Sequence, residues 1–232
     1  MSAKDFCIKK EACLKKESIC GLIMNESSFI KVYGWWVMKL KKEEKRRKII
    51  EAAIKIFAGN GYFNSRVSEI AKEAGVADGT IYIYFKSKEE LLSAIFDEAL
   101  NVFVEESRKI LEGITDPIEK LKKIVCLHLK HLGSNRDLAM VFQIEFRHNI
   151  VFMERLTKTK LADYFKIFEE VIVEGQQKGL FKNLNPRFCA KYIFGVIDEM
   201  VTSWLIAKKD YKLERDADIL VETFVYGIAK KD

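Results

Sequence analysis

Proline and glycine are scarce in this chain, two and twelve among 232 residues. An all-β protein needs a turn residue roughly every 8–12 positions, so that class is excluded and long helices are expected. Cysteine is sparse as well. Five unevenly placed cysteines cannot staple a chain of this length, and the spacing of Cys7, Cys13 and Cys20 fits no common zinc pattern. They read as reduced thiols. The opening MSAKDFCIKKEACLKKES lacks the apolar core of a signal peptide, and Phe29 to Leu40 is too short and too charged to span a bilayer. A cytoplasmic protein without a membrane partner is expected. At 49% hydrophobic and 32% charged residues, the chain has enough apolar content for a sizeable core.

The net charge of +6 is unevenly distributed. Residues 1–38 carry +2, residues 39–90 carry +4 and residues 91–232 are neutral. Seven basic residues fall between Lys39 and Lys48. Such a cluster can displace counterions from nucleic-acid phosphates, with Arg46 as the candidate contact, or it can be the solvated start of a helix. Ahead of it, the segment 1–38 mixes Lys, Ser, Cys and Gly and ends in an apolar Gly34–Val37 patch before Met38. It is either a poorly ordered arm or a segment in front of the true initiator at Met38.

From Glu43 the pattern is helical. Ile50, Ala53, Ile54 and Phe57 recur at i, i+3, i+4 and i+7, and Gly59-Asn60-Gly61 ends the run. Ser65 is the expected N-cap of a second helix over Val67–Glu73, and Gly75 supplies a tight turn. A third short helix follows over Val76–Phe85, with Ile81 and Phe85 one turn apart. Ser87 and Glu90 form a capping box that opens a long fourth helix, closed by Gly113. Asp116-Pro117 opens a fifth, Asn135–Arg147 is a sixth, Phe152–Gln177 a seventh, Asn185-Pro186 to Lys208 an eighth and Arg215–Lys230 a ninth. The expected architecture is all-α, a three-helix head on a larger helical body.

Two short helices joined by a glycine turn make a helix-turn-helix, whose second helix fits the major groove. The run from Gly61 to Ala71, then Ala74-Gly75-Val76, Gly79-Thr80-Ile81-Tyr82-x-Tyr84-Phe85 and Ser87-Lys88-Glu89-Glu90-Leu91-Leu92, resembles the DNA-binding head of the TetR family. The resemblance implies a homodimeric transcriptional repressor of double-stranded DNA whose body binds a small hydrophobic effector. It divides the chain into an N-terminal extension at 1–38, a DNA-binding domain at 39–90 and a ligand-binding and dimerisation domain at 91–232. By position it assigns phosphate contacts to Ser65, Arg66, Tyr84 and Lys88, although the family more often has Thr at Ser65. Ala77, Gly79, Thr80 and Tyr82 fall on the recognition helix. Thr80 offers a hydroxyl and a methyl to a base edge, whereas the tyrosine hydroxyls can donate to phosphate.

The body segments Leu138–Arg147, Glu174-Gly175 and Ile193–Trp204 look like the FadR-like subgroup, whose effector is a long-chain acyl-CoA and whose targets are fatty-acid degradation genes. An efflux or other catabolic repressor with a different apolar ligand is the alternative. Phe103, Phe142, Phe146, Phe168 and Trp204 are candidate lining for an acyl chain, and Arg147 for the CoA phosphates. The other use of aromatics at helical spacing is a packed core. Phe194, Ile197, Val201 and Leu205, with Ile219 and Phe224, form the expected dimer seam of the last two helices. An enzyme would rest on Cys126-x-His128-x-x-His131, where the two histidines share a helix face that a metal can use. No general base stands beside them in sequence, so no catalytic residue, metal or cofactor is expected.

Overall fold

The computed structural model describes residues 26–148, 160–207 and 211–228. Their order is α1 (Glu26–Asn60), α2 (Val67–Ala74), α3 (Asp78–Tyr84), α4 (Lys88–Leu111), α5 (Pro117–Gly133), α6 (Arg136–His148), α7 (Lys160–Gln177), α8 (Pro186–Ala207), a 3-10 turn (Leu213–Asp216) and α9 (Ala217–Ile228). The fold is all-α, with no β-strand among the described residues. The expected helix order is reproduced, with three differences. The first helix begins at Glu26 rather than Glu43, because nothing before Asn60 except Gly34 and Gly59 disfavours a helix. The seventh is described from Lys160, the expected start at Phe152 lying outside the described residues. The ninth opens as a 3-10 turn whose Leu213 is fully buried.

The chain forms two contact units, divided between Arg46 and Arg47. In the first, Trp35 and Met38 are 61% and 71% exposed, and the Lys39 ammonium lies 5.4 Å from the centre of the Trp35 ring. Residues 1–25 of the N-terminal extension lie outside the described residues.

Within the second unit the apolar side chains make two clusters. The smaller joins Ile49, Ile50, Ala53 and Phe57 of α1, Ile70 and Ala71 of α2, Ile81 and Phe85 around α3, and Leu91, Leu92, Ile95 and Phe96 of α4. Gly75 closes α2 at φ 66°, a left-handed conformation that a Cβ opposes, and the Val76 N–H then reaches the Ala71 carbonyl at 3.0 Å. The larger cluster begins further along α4 with Leu100 and Phe103 and takes in α5, α7, α8 and α9. Side-chain caps start the helices: the Asp116 carboxylate accepts from the Ile118 N–H, and the Asn135 and Asn185 side chains accept from Leu138 N–H and Phe188 N–H. Each contributes about 1 kcal/mol.

At the C-terminal end of α7 the chain turns back and drops Phe181, 3% exposed, against Gly175. A Cβ built at Gly175 would stand 2.1 Å from the Phe181 ring. The preceding Glu174 accepts hydrogen bonds from Lys120 of α5 at 2.5 Å and from Lys178 at 2.8 Å, which hold its carboxyl below its ordinary range. Gly175→Ala is therefore expected to lower the unfolding free energy by about 1–3 kcal/mol despite the better helix propensity of alanine. A urea titration showing a midpoint equal to or above that of the parent would contradict this packing.

Candidate nucleic-acid interface and ligand cavity

The recognition surface is built by burying one side of α3. Ile81 and Phe85, each 2% exposed, anchor it in the smaller core. That leaves Ala77, Asp78, Gly79, Tyr82 and Ile83 exposed and Thr80 and Tyr84 half-buried. A Cβ at Gly79 would meet nothing within 4 Å, so the protein's own packing does not require glycine there. Ile83, 74% exposed, is the position that the motif Tyr82-x-Tyr84 leaves unassigned. Its exposure on a helix of this chemistry makes it a candidate for contact with a thymine methyl. Arg66 stands exposed at the N-cap of α2, where its own N–H donates to Glu69 Oε2 at 2.8 Å. Arg46 is half-buried on α1.

Two of the expected phosphate contacts have their polar groups engaged within the protein. Ser65 is not the cap of α2. Its side chain is turned inward at 3% exposure and donates to the Gly61 carbonyl at 2.7 Å, with its N–H on the same oxygen at 3.2 Å, so neither donor is offered outward. Lys88 is committed too. Its ammonium donates to the carbonyls of Tyr62 at 2.7 Å, Ser65 at 3.0 Å and Phe63 at 3.4 Å, and lies 4.5 Å from the centre of the Tyr62 ring. It is a clamp that ties the first turn of α4 to the loop between α1 and α2, and so holds the start of α2 in place.

In the body, two small cavities of about 30 and 40 Å³ share Leu100, His128, Leu132, Phe142 and Tyr164 in their walls. Each holds little more than one water. Of the residues expected to line a ligand site, Phe103 and Phe142 stand in the walls of these cavities. Phe168, fully buried, packs instead on Tyr164 with ring centres 5.3 Å apart. Trp204 is also core: its indole N–H donates to the Tyr211 carbonyl at 3.2 Å, and the Arg136 guanidinium lies 4.9 Å from its ring centre. The side chains of Phe146 and Arg147 lie outside the described residues. The aromatic count is compatible with an acyl-chain site but does not separate lining from core.

The cavity walls contain a polar group that the sequence did not reveal. Tyr164 Oη lies 3.1 Å from His128 Nδ1, Gln143 donates to Asp198 Oδ1 at 2.9 Å, and Thr202 donates to Gln143 Oε1 at 2.8 Å. Withdrawal from water, with His131 adding a smaller like-charge effect, pulls the His128 imidazole down to about 3, and burial followed by the Asp198 charge pushes the Tyr164 phenol up. Both are neutral at physiological pH. His131 pairs separately with Glu106 at 2.7 Å. The two histidines thus face different partners, and among the described residues no group of three or more His, Cys, Asp or Glu could hold a metal.

Most residues of the expected dimer seam are buried within the protomer. Ile197, Val201, Leu205 and Phe224 are at most 7% exposed and belong to the protomer's own core, while Phe194 lines a cavity. The exposed apolar residues of the last two helices are Phe188, Tyr192 and Ile206 of α8, and Ile219 and Tyr226 of α9. A groove of about 200 Å³ runs between these helices, past Tyr192, Val196, Met200, Ile219 and Thr223. Of the expected set Ile219 is exposed on this face and Phe224 lines the groove from its buried side, because the most regular apolar stripe of a helix is the one that faces its own core. No helix of the described residues is long and apolar enough to cross a membrane.

Residues 49–95 match the family of bacterial regulatory proteins called the tetR family, and residues 96–227 match the family described as YsiA-like protein, C-terminal region. The chain is 38% identical over 192 residues to the fatty acid metabolism regulator protein of Bacillus subtilis, covering 82% of this chain and 99% of that one. It is similar to the crystal structure of FadR from Bacillus subtilis in complex with stearoyl-CoA, with a TM-score of 0.74 at 38% identity over 78% of this chain and 98% of that one. FadR from Bacillus halodurans gives a TM-score of 0.73 at 37% identity, with the same coverage.

The buried histidine carries a pH signature. Unfolded, His128 takes up a proton near its ordinary 6.5, whereas the folded protein resists doing so until about 3. Between those values the unfolded chain binds more protons, so stability falls as pH is lowered through that window. His128→Asn, which keeps an acceptor for Tyr164, is expected to flatten this part of the profile. Equal slopes for parent and variant in chemical unfolding at pH 6.5 and pH 4.5 would rule the assignment out.

Proposed function

The chain belongs to the TetR family of bacterial regulatory proteins, as a DNA-binding repressor of fatty-acid metabolism, and we propose that a long-chain acyl-CoA releases it from its operator by entering the α4–α7 cavities. The observation that carries this reading is the position of Phe142. Its ring lines both cavities, and it lies 4.4 Å, centre to centre, from Phe96, which is fully buried in the core of the DNA-binding head. An acyl chain is far larger than either cavity and must displace the walls. Displacing Phe142 shifts the support of Phe96, and with it the start of α4 that Lys88 ties to the helix-turn-helix.

The DNA-binding domain reads its operator with α3. Thr80, Ala77, Gly79, Tyr82 and Ile83 face the base edges, while Arg66 and Tyr84 hold phosphates, and Arg46 adds charge from α1. Two copies associate through the outer face of α8 and α9, where Tyr192, Ile206, Ile219 and Tyr226 are exposed. The dimer presents its heads to successive major grooves of a pseudo-palindromic site, roughly 34–36 Å apart. The protein works in the cytoplasm, needs no cofactor and catalyses no reaction. A ligand that binds one head spacing better than another changes operator affinity by that same factor.

Operator release by stearoyl-CoA in a gel-shift titration tests the reading directly. Phe142→Leu is expected to leave ligand-free operator affinity and acyl-CoA binding near parental values while raising the concentration for half-release about fivefold or more. Release unchanged in that variant would remove Phe142 from the coupling. For the interface, Tyr84→Phe is expected to weaken binding to all sequences alike by about 1 kcal/mol, and Thr80→Ala to alter preference at one base position. A binding-site selection giving the opposite pattern would reverse the two roles.

A further inference from the structure

α1 begins at Glu26, whereas the match to the tetR-family model begins at residue 49. The stretch Lys39-Leu40-Lys41-Lys42-Glu43-Glu44-Lys45-Arg46 thus precedes the residues that the model covers, on the helix that carries Ile49, Ile50 and Phe57. Its charges are sorted around the helix axis. At about 100° per residue, Lys39, Lys41, Lys42, Lys45 and Arg46 fall within about 160° of the helix, and Glu43 and Glu44 fall on the remaining side. The four lysines are exposed. Among the described residues no ion pair engages Lys41, Lys42 or Lys45, whereas Arg47, on the side of the glutamates, lies 3.7 Å from Glu51. Lys41 and Lys45 stand one turn apart, as do Lys42 and Arg46. Like charges at that spacing repel and weaken the helix that carries them. A merely solvated face would be served better by glutamates interleaved among the lysines. A polyanion lying along the sorted face offsets the repulsion.

We propose that this face is a second DNA contact, an electrostatic arm that lies on the phosphate backbone of duplex DNA and adds affinity without reading sequence. The inference rests on the chain being a DNA-binding regulator. Each Lys or Arg that neutralises a phosphate releases condensed counterions, so the gain is largest at low salt. Lysine suits the task, because a point charge on a flexible stem needs no fixed partner geometry. Contacts to phosphate add no base information, so the arm leaves the choice of operator to α3. An anionic membrane surface would attract the same charge, but a helix lying in a bilayer interface sets an apolar face opposite its charged one. Within Lys39–Arg46 the side opposite the basic face carries Glu43, Glu44 and, of apolar side chains, Leu40 alone. One-sided positive charge without an apolar counterface fits a phosphate backbone and not a lipid surface.

The test follows the affinity of the full-length protein across a salt series, for a duplex carrying the operator recovered by binding-site selection and for a random-sequence duplex. The triple variant Lys41→Gln, Lys42→Gln, Lys45→Gln keeps a similar helix propensity. It is expected to lower the slope of log affinity against log salt by about 0.9 for each lost phosphate contact, about 2.7 per arm, on both duplexes. Its preference for the operator over random DNA is expected to stay within about threefold of the parent's. Lys45→Gln alone is expected to lower the slope by about 0.9, and Arg47→Gln, the same loss of charge on the glutamate side, by less than about half of that. Equal losses for these two would reduce the effect to net charge and overturn the arm. A triple variant with the parental slope would overturn it as well. Vesicles of phosphatidylglycerol and phosphatidylcholine supply the other partner: binding to them by the parent and not by the triple variant, with equal slopes on DNA, would give the face to a membrane. A parent that prefers no duplex would overturn the regulator reading, while the slopes on random DNA would still decide the arm.

Discussion

The structure depends on one shared seam, where α4 and α6 carry side chains into both apolar cores. α4 places Leu91, Leu92, Ile95 and Phe96 in the head and, one turn later, Leu100 and Phe103 in the body. α6 crosses it with Val141, 1% exposed in the head cluster, and with Leu138 and Phe142, which pack against both clusters. Close-packed interiors do not deform continuously, so a shift of Phe142 is passed to Phe96 rather than absorbed. A linker of flexible residues in place of this seam would let the head keep its position whatever the body did. The scarcity of proline and glycine between Gly75 and Gly113, with only Gly79 intervening, is the sequence form of that rigidity.

The Lys88 clamp completes the head end of the seam. An ammonium held by three backbone carbonyls and an aromatic face satisfies acceptors that the loop after α1 cannot pair within a helix. Because Lys88 is the first residue of α4, any tilt of that helix pulls on the carbonyls of Tyr62 and Ser65, immediately before α2. Lys88 thus holds the loop before α2 to the start of α4. Ser65, with its hydroxyl on Gly61, belongs to the same tied loop.

Helix boundaries were legible because their signals are local. Asp116-Pro117, Asn185-Pro186, the Ser87 cap and the glycine turns each act within a few residues of chain, and each is found where expected. The exposed side of α3 was legible for a related reason: burying Ile81 and Phe85 fixes which side of a seven-residue helix is left outside. The body residues were not. Phe103 and Phe168 have the same chemistry and sit on equally regular helices, yet only one lines a cavity, because that depends on how four helices meet. The face of α8 that stays outside the protomer was not legible by the same limit, since Ile197 and Val201 make the more regular stripe and are fully buried in their own protomer. The His128–Tyr164 and Gln143–Asp198 pairs join residues 36 and 55 positions apart, which no local pattern encodes.

The small size of the cavities bears on the chain length that the proposed effector needs. In the state described here the walls are nearly closed, and this closed state is the one in which Phe142 supports the head. To move an equilibrium from 1:99 to 99:1, a ligand must favour the other state by about 5.5 kcal/mol. Each buried methylene contributes about 0.8 kcal/mol, so roughly seven methylenes are needed before any cost of parting the helices is counted. A short acyl group can enter only by giving back most of what it gains. A long one keeps a surplus, and the hydrophobic effect itself sets a threshold in chain length. On the proposed reading, the length of the chain then decides whether the head lets go.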